Sequence, residues 1–269
     1  MRHAEAPHTV LLFDIDGVIR DVGGSYRRAL AETVHHYSGV RPDAAKIDAL
    51  KAEGHWNNDW HASLELLRRL GLPQLPPFDD LVEVFSGFYF GGDPTGDPGQ
   101  WQGFIGSEPL LVDRPFFAAL ETAGIVWGFV SGAEPPSARY VLETRLGLMD
   151  PPLIAMGDAP DKPDPGGLLQ LAAALLQRHG GLELGASAPP IAYLGDTVAD
   201  VHTVLNARQA CPEQQFVALA VAPPHLHGSA AKAARAHYEE QLRQAGADVL
   251  LGDTREALQA LSAPWPPQL

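Results

Sequence analysis

Two aspartates one residue apart close an apolar run near the start of the chain, where Thr9-Val10-Leu11-Leu12-Phe13 leads into Asp14-Ile15-Asp16-Gly17. Aspartate weakens a strand and a buried carboxylate is costly, so the pair needs a compensating role. Three further apolar runs lead into polar residues of complementary type. Ser131-Gly132 follows Ile125–Val130, Lys162 lies beyond Leu153–Met156 in Asp161-Lys162-Pro163-Asp164-Pro165, and Asp196 and Asp200 follow Ile191–Leu194. Together these residue types can carry out phosphoryl transfer. A carboxylate attacks phosphorus to give an aspartyl-phosphate. Phosphate is itself anionic, so that approach requires neutralisation, which Mg²⁺ supplies through oxygen ligands such as aspartate. A lysine and a hydroxyl neutralise the transferring oxygens. A second carboxylate protonates the leaving oxygen and then activates water.

Each piece also has a plainer reading. Asp14-Ile15-Asp16-Gly17 alone could be a strand running into a turn. Ser131 could be a turn or cap residue, and Lys162 a solvated loop charge. Asp196 could cap the helix that follows, leaving Asp200 as a surface charge on the same helix face. Gly252-Asp253-Thr254 repeats the Gly-Asp-Thr triplet of 195–197 but has no acid four residues on, and reads as a helix cap. The pairs His35/His36 and His225/His227 have no cysteine or carboxylate framing them and read as surface or capping residues.

The elements that must position these side chains follow from hydrophobic periodicity. From about residue 108 onward, helical and apolar-strand patterns alternate: helix 116–123, strand 125–130, helix 136–146, strand 153–156, helix 167–178, strand 191–194, helix 198–208, strand 216–221, helix 230–245, strand 248–251 and helix 254–261. Such alternation implies a doubly wound parallel sheet covered on both faces. The carboxyl ends of its strands share one edge, where ligands bind, so the four polar sets can meet there. Between the first two sets the pattern is helical only, with helices expected over 26–37, 42–52, 59–70 and 78–90. The glycine-rich passages Val22-Gly23-Gly24 and Gly91–Gly99 border it. The organisation expected is therefore an α/β core of residues 1–21 and 108–269 with a helical insert over 22–107.

Composition limits the function further. The chain has 269 residues, 45% of them apolar, enough for a substantial core. Its net charge of −14 argues against nucleic acid as a partner. A single cysteine, Cys211, permits no internal disulfide. Neither a leader nor a run of about 20 apolar residues is evident, so a cytoplasmic protein with no membrane partner is expected.

Taken in order, the four sets resemble the motifs of the haloacid dehalogenase superfamily, most of whose members are phosphatases. Asp14-Ile15-Asp16-Gly17 is similar to its first motif, Ser131-Gly132 to its second, Lys162-Pro163 to its third and Gly195-Asp196-Thr197-Val198-Ala199-Asp200 to its fourth. The resemblance spans nearly the whole chain. The helical insert is similar to the family's first class of cap (C1, subfamily IA), and the phosphoglycolate-phosphatase-like branch looks nearest. Asp14-Ile15-Asp16-Gly17-Val18-Ile19-Arg20-Asp21-Val22 with Trp56-Asn57-Asn58-Asp59-Trp60 looks like a small subgroup familiar from cyanobacteria. The resemblance implies a Rossmann-like core in which Asp14 is the nucleophile and a ligand of Mg²⁺, and Asp16 is the general acid/base with its carbonyl on the metal. Ser131 and Lys162 would hold phosphoryl oxygens. Asp196 would be a second metal carboxylate, and Asp200 a metal-water or lysine-orienting partner. An aspartate at position 16 sets the chain apart from dehalogenases and phosphonate hydrolases.

The resemblance further implies a cap that closes over the site and selects the substrate. The candidate specificity residues are His55, Asn57 and Asn58 in the loop between the second and third helices, Arg20 beside the first motif, and Gly132 next to Ser131. Asn58 or Asp59 could instead start the third helix, with the tryptophans as core anchors. Arg20 could instead form a surface ion pair. Gln100-Trp101-Gln102 is a weaker candidate. The function expected is Mg²⁺-dependent hydrolysis of a small phosphorylated metabolite. A phosphomutase of the β-phosphoglucomutase type and a non-catalytic binding or regulatory module of the same fold are the alternatives.

Overall fold

The computed structural model describes residues 7–51, 56 and 58–261. The chain divides into two compact units, one formed by Met1–Asp21 with Leu110–Leu269, the other by Val22–Pro109.

The first unit is built on six parallel strands: β1 (Thr9–Phe13), β2 (Ile125–Val130), β3 (Leu153–Ile154), β4 (Ile191–Gly195), β5 (Phe216–Val221) and β6 (Val249–Leu251). They lie in the order β3-β2-β1-β4-β5-β6. The strand β1 is central because its residues are apolar on both faces, and it is buried throughout. It pairs with β2 in the register Phe13↔Phe129 and with β4 in the register Phe13↔Leu194. The chain moves outward from β1 to β3, then restarts at β4 on the other side. The switch point, where such sheets bind ligands, therefore falls between the carboxyl ends of β1 and β4.

Alternation along β1 sends Leu11 and Phe13 into one layer and Val10 and Leu12 into the other. The first layer is closed by α5 (Arg114–Thr122), α6 (Pro135–Arg139) and α10 (Ala257–Leu261). There Phe13 meets Phe116, Phe117 and Phe129 at ring separations of 6.0, 6.0 and 5.9 Å. The second is closed by α7 (Gly166–Gly180), α8 (Val198–Ala210) and α9 (Lys232–Gln244) through Leu168, Leu171, Val201, Val204 and Leu242. The helix expected over 136–146 departs from regularity. Beyond α6 it continues as a wider π-helical turn at Tyr140–Arg145. The strand expected over 153–156 is shorter, pairing only at Leu153 and Ile154, because it lies at the sheet edge and has one neighbour.

The second unit is helical: α1 (Tyr26–Ser38), α2 (Ala44–Lys51), α3 (Asp59–Arg69) and α4 (Phe78–Phe90). Its core contains Leu30, Val34, Ala62, Leu67, Leu81 and Phe85, and Tyr26 stacks on Tyr89 at 4.4 Å. Glu108 is buried in it and accepts hydrogen bonds from Ser25 at 2.5 Å and Tyr89 at 3.2 Å. Asn58 caps α3 by accepting from the N–H groups of Trp60 and His61, so this loop residue does start a helix. Trp60 packs edge-on against Phe85, and Trp101 is buried with its indole N–H on the Asp93 carbonyl. The candidates His55 and Asn57 lie outside the described residues. Among the described residues, no helix is long and apolar enough to cross a membrane.

Candidate active site

Asp14 is the first residue past β1, and its N–H continues the ladder by donating to Leu194 O at 2.9 Å. Its carboxylate is thereby fixed at the switch point, where Ile15 N donates to Oδ1 at 2.8 Å and Lys162 Nζ lies 3.0 Å from Oδ2. Lys162 comes from the loop between β3 and α7, yet it is largely enclosed, so it is not a solvated loop charge. Its ammonium also reaches Asp200 Oδ1 at 2.5 Å and the Tyr193 hydroxyl at 3.1 Å.

Asp200 corrects the alternative of an ordinary surface charge, because it is only 1% exposed. Its second oxygen accepts from the Thr197 N–H at 3.0 Å and the Thr197 hydroxyl at 2.6 Å. The reciprocal bond from Asp200 N to Thr197 Oγ1 completes a capping box at the start of α8. Thr197, not Asp196, is therefore the cap, which leaves the Asp196 carboxylate available to the site. Asp253 does cap the turn at Thr254–Glu256, as its lone Gly-Asp-Thr setting suggests.

Two glycines let these acids approach. A Cβ on Gly17 would stand 2.0 Å from Asp196 Oδ2, and φ of +78° there disfavours any side chain. A Cβ on Gly195 would stand 2.2 Å from the Asp200 Cβ. The glycine of the first motif is thus required by an aspartate of the fourth.

The electrostatics follow from packing acids around one lysine. Burial pushes Asp14 up to about 6; Lys162 opposes this, Asp200 and Asp16 add to it, and a hydrogen bond from Ser131 opposes it. Asp196 is pushed well above the usual carboxylate range by burial and by Asp200 and Asp14. Burial acts on Asp200 in the same sense, but Lys162 and Thr197 outweigh it and hold that acid low. Lys162 is desolvated, yet Asp14 and Asp200 hold its proton firmly. Among the described residues no basic side chain pairs with Asp196. Oxygens of Asp14, Asp196 and Asp200 lie within 4.8 Å of one another, the one group of three or more His, Cys, Asp or Glu ligands that close among the described residues. Hard oxygen donors carrying excess negative charge, one of them unpaired by any cation, fit a divalent cation such as Mg²⁺.

Asp16 and Arg20 occupy the loop beyond Asp14. Arg20 Nε donates to Asp16 Oδ1 at 2.7 Å, with the guanidinium side chain 0% and the carboxylate 29% exposed. A surface ion pair is therefore ruled out for Arg20. Ser131 is buried beyond β2 and accepts from Ala133 N at 3.2 Å, while Gly132 beside it is exposed. The paired histidines serve elsewhere: His36 packs edge-on against Tyr37, and His227 Nε2 lies 2.6 Å from Ala222 O.

The sequence reading missed two participants. Tyr193 sits at the middle of β4, 1% exposed, with its hydroxyl 2.8 Å from Val130 O and 3.1 Å from Asp200 Oδ1. Thr197 was visible only as a position of the fourth motif with no role assigned to it.

The family model of the haloacid dehalogenase-like hydrolases matches residues 8–208, a span holding every one of these acids, Ser131 and Lys162. The chain belongs to this family. Among solved structures of the haloacid dehalogenase fold it is similar to a phosphatase from Thermococcus thioreducens, with 20% identity, a TM-score of 0.58, and 87% of this chain and 99% of that one covered. A family hydrolase from Deinococcus radiodurans, solved with bound phosphate and sodium, shares 18% identity at a TM-score of 0.60, over 96% of each chain. In sequence, an imidazoleglycerol-phosphate dehydratase from Phytophthora nicotianae is 29% identical over 255 residues. That match takes in 91% of this chain, which spans 50% of the curated relative's length.

Proposed function

We propose that this hydrolase is a Mg²⁺-dependent phosphatase that cleaves a small phosphate monoester through an aspartyl-phosphate on Asp14. The observation that carries the reading is the meeting of Asp14, Asp196, Asp200 and Lys162 at one edge of the sheet. Asp14, Asp196, the Asp16 carbonyl and Asp200, directly or through water, would hold the ion. When bound, it would neutralise charge on the phosphoryl group and on the attacking carboxylate.

The chain's own residues account for the remaining chemistry. Lys162 and Ser131 bind phosphoryl oxygens, while Asp200 and Tyr193 hold Lys162 in place. An Asp14 oxygen forms a bond to phosphorus as the ester P–O bond breaks. The leaving oxygen keeps that bonding pair and takes a proton from the Asp16 carboxyl. Asp16, now a carboxylate, removes a proton from water as the water oxygen attacks phosphorus. The bond from phosphorus to Asp14 then breaks, and both aspartates return to their starting forms. The phosphate in the Deinococcus structure supports an anion site in this fold. The name of the Phytophthora relative contains a small phosphate ester; dehydration is a different reaction, so only the ligand class is carried over. The helical unit, read as a cap, would choose among such esters through Asn57, Asn58 and His55.

The test is phosphate release from a panel of small phosphate monoesters with MgCl₂ present. Release is expected, with loss on chelation by EDTA. Asp14→Asn is expected to abolish turnover with the circular dichroism spectrum unchanged. Turnover retained by Asp14→Asn overturns the mechanism, and isomerised sugar phosphate without free phosphate overturns hydrolysis in favour of a mutase.

A further inference from the structure

A guanidinium with no exposed surface needs a reason, because removing that charge from water is costly unless a partner compensates. Arg20 is such a group. It lies four residues beyond Asp16, in a loop whose backbone is fixed on both sides. Gly17 N donates to Arg20 O at 2.9 Å, Ile15 O accepts from the N–H groups of Val18, Ile19 and Arg20, and Leu111 N donates to Ile19 O at 2.9 Å. Arg20 itself bridges to Leu110, where the chain returns to the sheet. The guanidinium also acts on Glu134, just beyond Ser131, where its charge opposes the upward push of burial on that carboxyl. Arg20 is thus anchored at the backbone and paired through its guanidinium with Asp16.

We propose that Arg20 is a positioning residue that grips Asp16 by Oδ1, so that Oδ2 is the oxygen that exchanges the proton with the leaving group and with water. This rests on the phosphatase reading above. A carboxylate on a loop turns about two side-chain bonds, and acid catalysis requires it within hydrogen-bond reach of the leaving oxygen. Nε of arginine is a donor that keeps its proton, so an oxygen bound to it stays an acceptor and is not the one that protonates. The 2.7 Å bond therefore both fixes the orientation and distinguishes the two oxygens. A role for Arg20 as a clamp for a second anionic group of the substrate would need exposed N–H groups, and the side chain has none of its surface exposed.

The experiment compares kcat/KM for phenyl phosphate, whose leaving group needs a proton, with 2,4-dinitrophenyl phosphate, whose leaving group does not. The proteins are the unaltered enzyme, Arg20→Lys, Arg20→Gln, Asp16→Asn and the double variant Asp16→Asn/Arg20→Gln. Arg20→Gln is expected to lower kcat/KM for phenyl phosphate by about tenfold or more, through kcat, and to leave the dinitrophenyl ester within about twofold. Adding Arg20→Gln to Asp16→Asn is expected to cause no further loss, because the residue acts through Asp16. Arg20→Lys keeps the charge without the planar fork, and is expected to show the same ester selectivity to a smaller degree. Equal loss on both esters, a rise in KM alone, or a further loss in the double variant overturns the proposal. Should Arg20→Gln fail to fold, the absence of ester selectivity in Arg20→Lys overturns it equally. Failure of the phosphatase reading is seen separately, as no release from either ester by the unaltered enzyme, and it removes the inference with it.

Discussion

Lys162 stands between two carboxylates and a phenol, and each neighbour limits a different freedom of its ammonium. Asp14 and Asp200 fix its charge, and Tyr193 fixes its direction through a hydroxyl that also reaches Val130 O. Tyr193→Phe keeps the ring and deletes only that hydroxyl. It is expected to lower stability by about 1–3 kcal/mol, as for a lost buried hydrogen bond. It should also lower kcat/KM by about tenfold through a displaced lysine. Thermal melts and steady-state kinetics check the two effects separately. Gly17→Ala tests the other side of the site, since its methyl would enter the space of Asp196 Oδ2. A fall of about ten- to hundredfold in Mg²⁺ affinity is expected, measured by calorimetric titration. These two residues also show where sequence reading stops. Gly17 was legible as part of a motif, though its reason, an aspartate nearly 180 positions later, was not. Tyr193 in an apolar strand reads as a core residue, and only the fold shows that its tip meets Lys162. Arg20 was visible as a cation near the site, but neither its burial nor the backbone bridge that joins it to Leu110, 90 positions on, shows in any local pattern.

At the scale of elements, alternation and periodicity were sufficient for most of the fold. The strand over 9–13 and the helix over 78–90 occur as expected: the five-residue run is too short for a buried helix and ends in an Asp-Gly turn signal, and the apolar stripe of 78–90 closes on Gly91. The shortening of the strand expected over 153–156 to Leu153–Ile154, and the π-helical turn after α6, were not foreseen, since both depend on neighbours rather than on local composition. Helix α3 offers an element-level test away from the chemistry. Glu65 accepts from Arg68 Nε at 2.7 Å and Arg69 Nε at 2.6 Å. Those hydrogen bonds, Arg68 first, draw its carboxyl down from 4.5 to about 2. A depressed acid favours the folded state while ionised, so its contribution is full above pH 4.5 and is lost as pH falls toward 2. Both arginines are well exposed, so screening limits the gain to about 0.5–1 kcal/mol. Glu65→Gln should therefore melt lower at pH 7, with the gap closing as melts are repeated through that acid range.

At the scale of the whole molecule, net charge −14 opposes the anion that the site is proposed to bind. The Debye length shrinks from about 30 Å at 0.01 M salt to about 8 Å at 0.15 M. Raising monovalent salt over that range, at fixed Mg²⁺, is expected to increase kcat/KM for a dianionic ester about two- to fivefold by screening the repulsion. A decrease would show that local cations, Lys162 foremost, govern the approach.

The backbone bond from Leu111 N to Ile19 O has a consequence for how such a chain can diversify. It ties the exit from the sheet to the point of return, so the intervening passage is, in connectivity, a single loop closed at its base. The closing entropy of a loop grows only slowly with its length. A module spliced between those two points is expected to leave the pairing of β1 with β2 and β4 unchanged, and with it the position of Asp14. Grafting experiments can exploit this junction: a foreign helical module joined at residues 21 and 110 should inherit a working sheet edge.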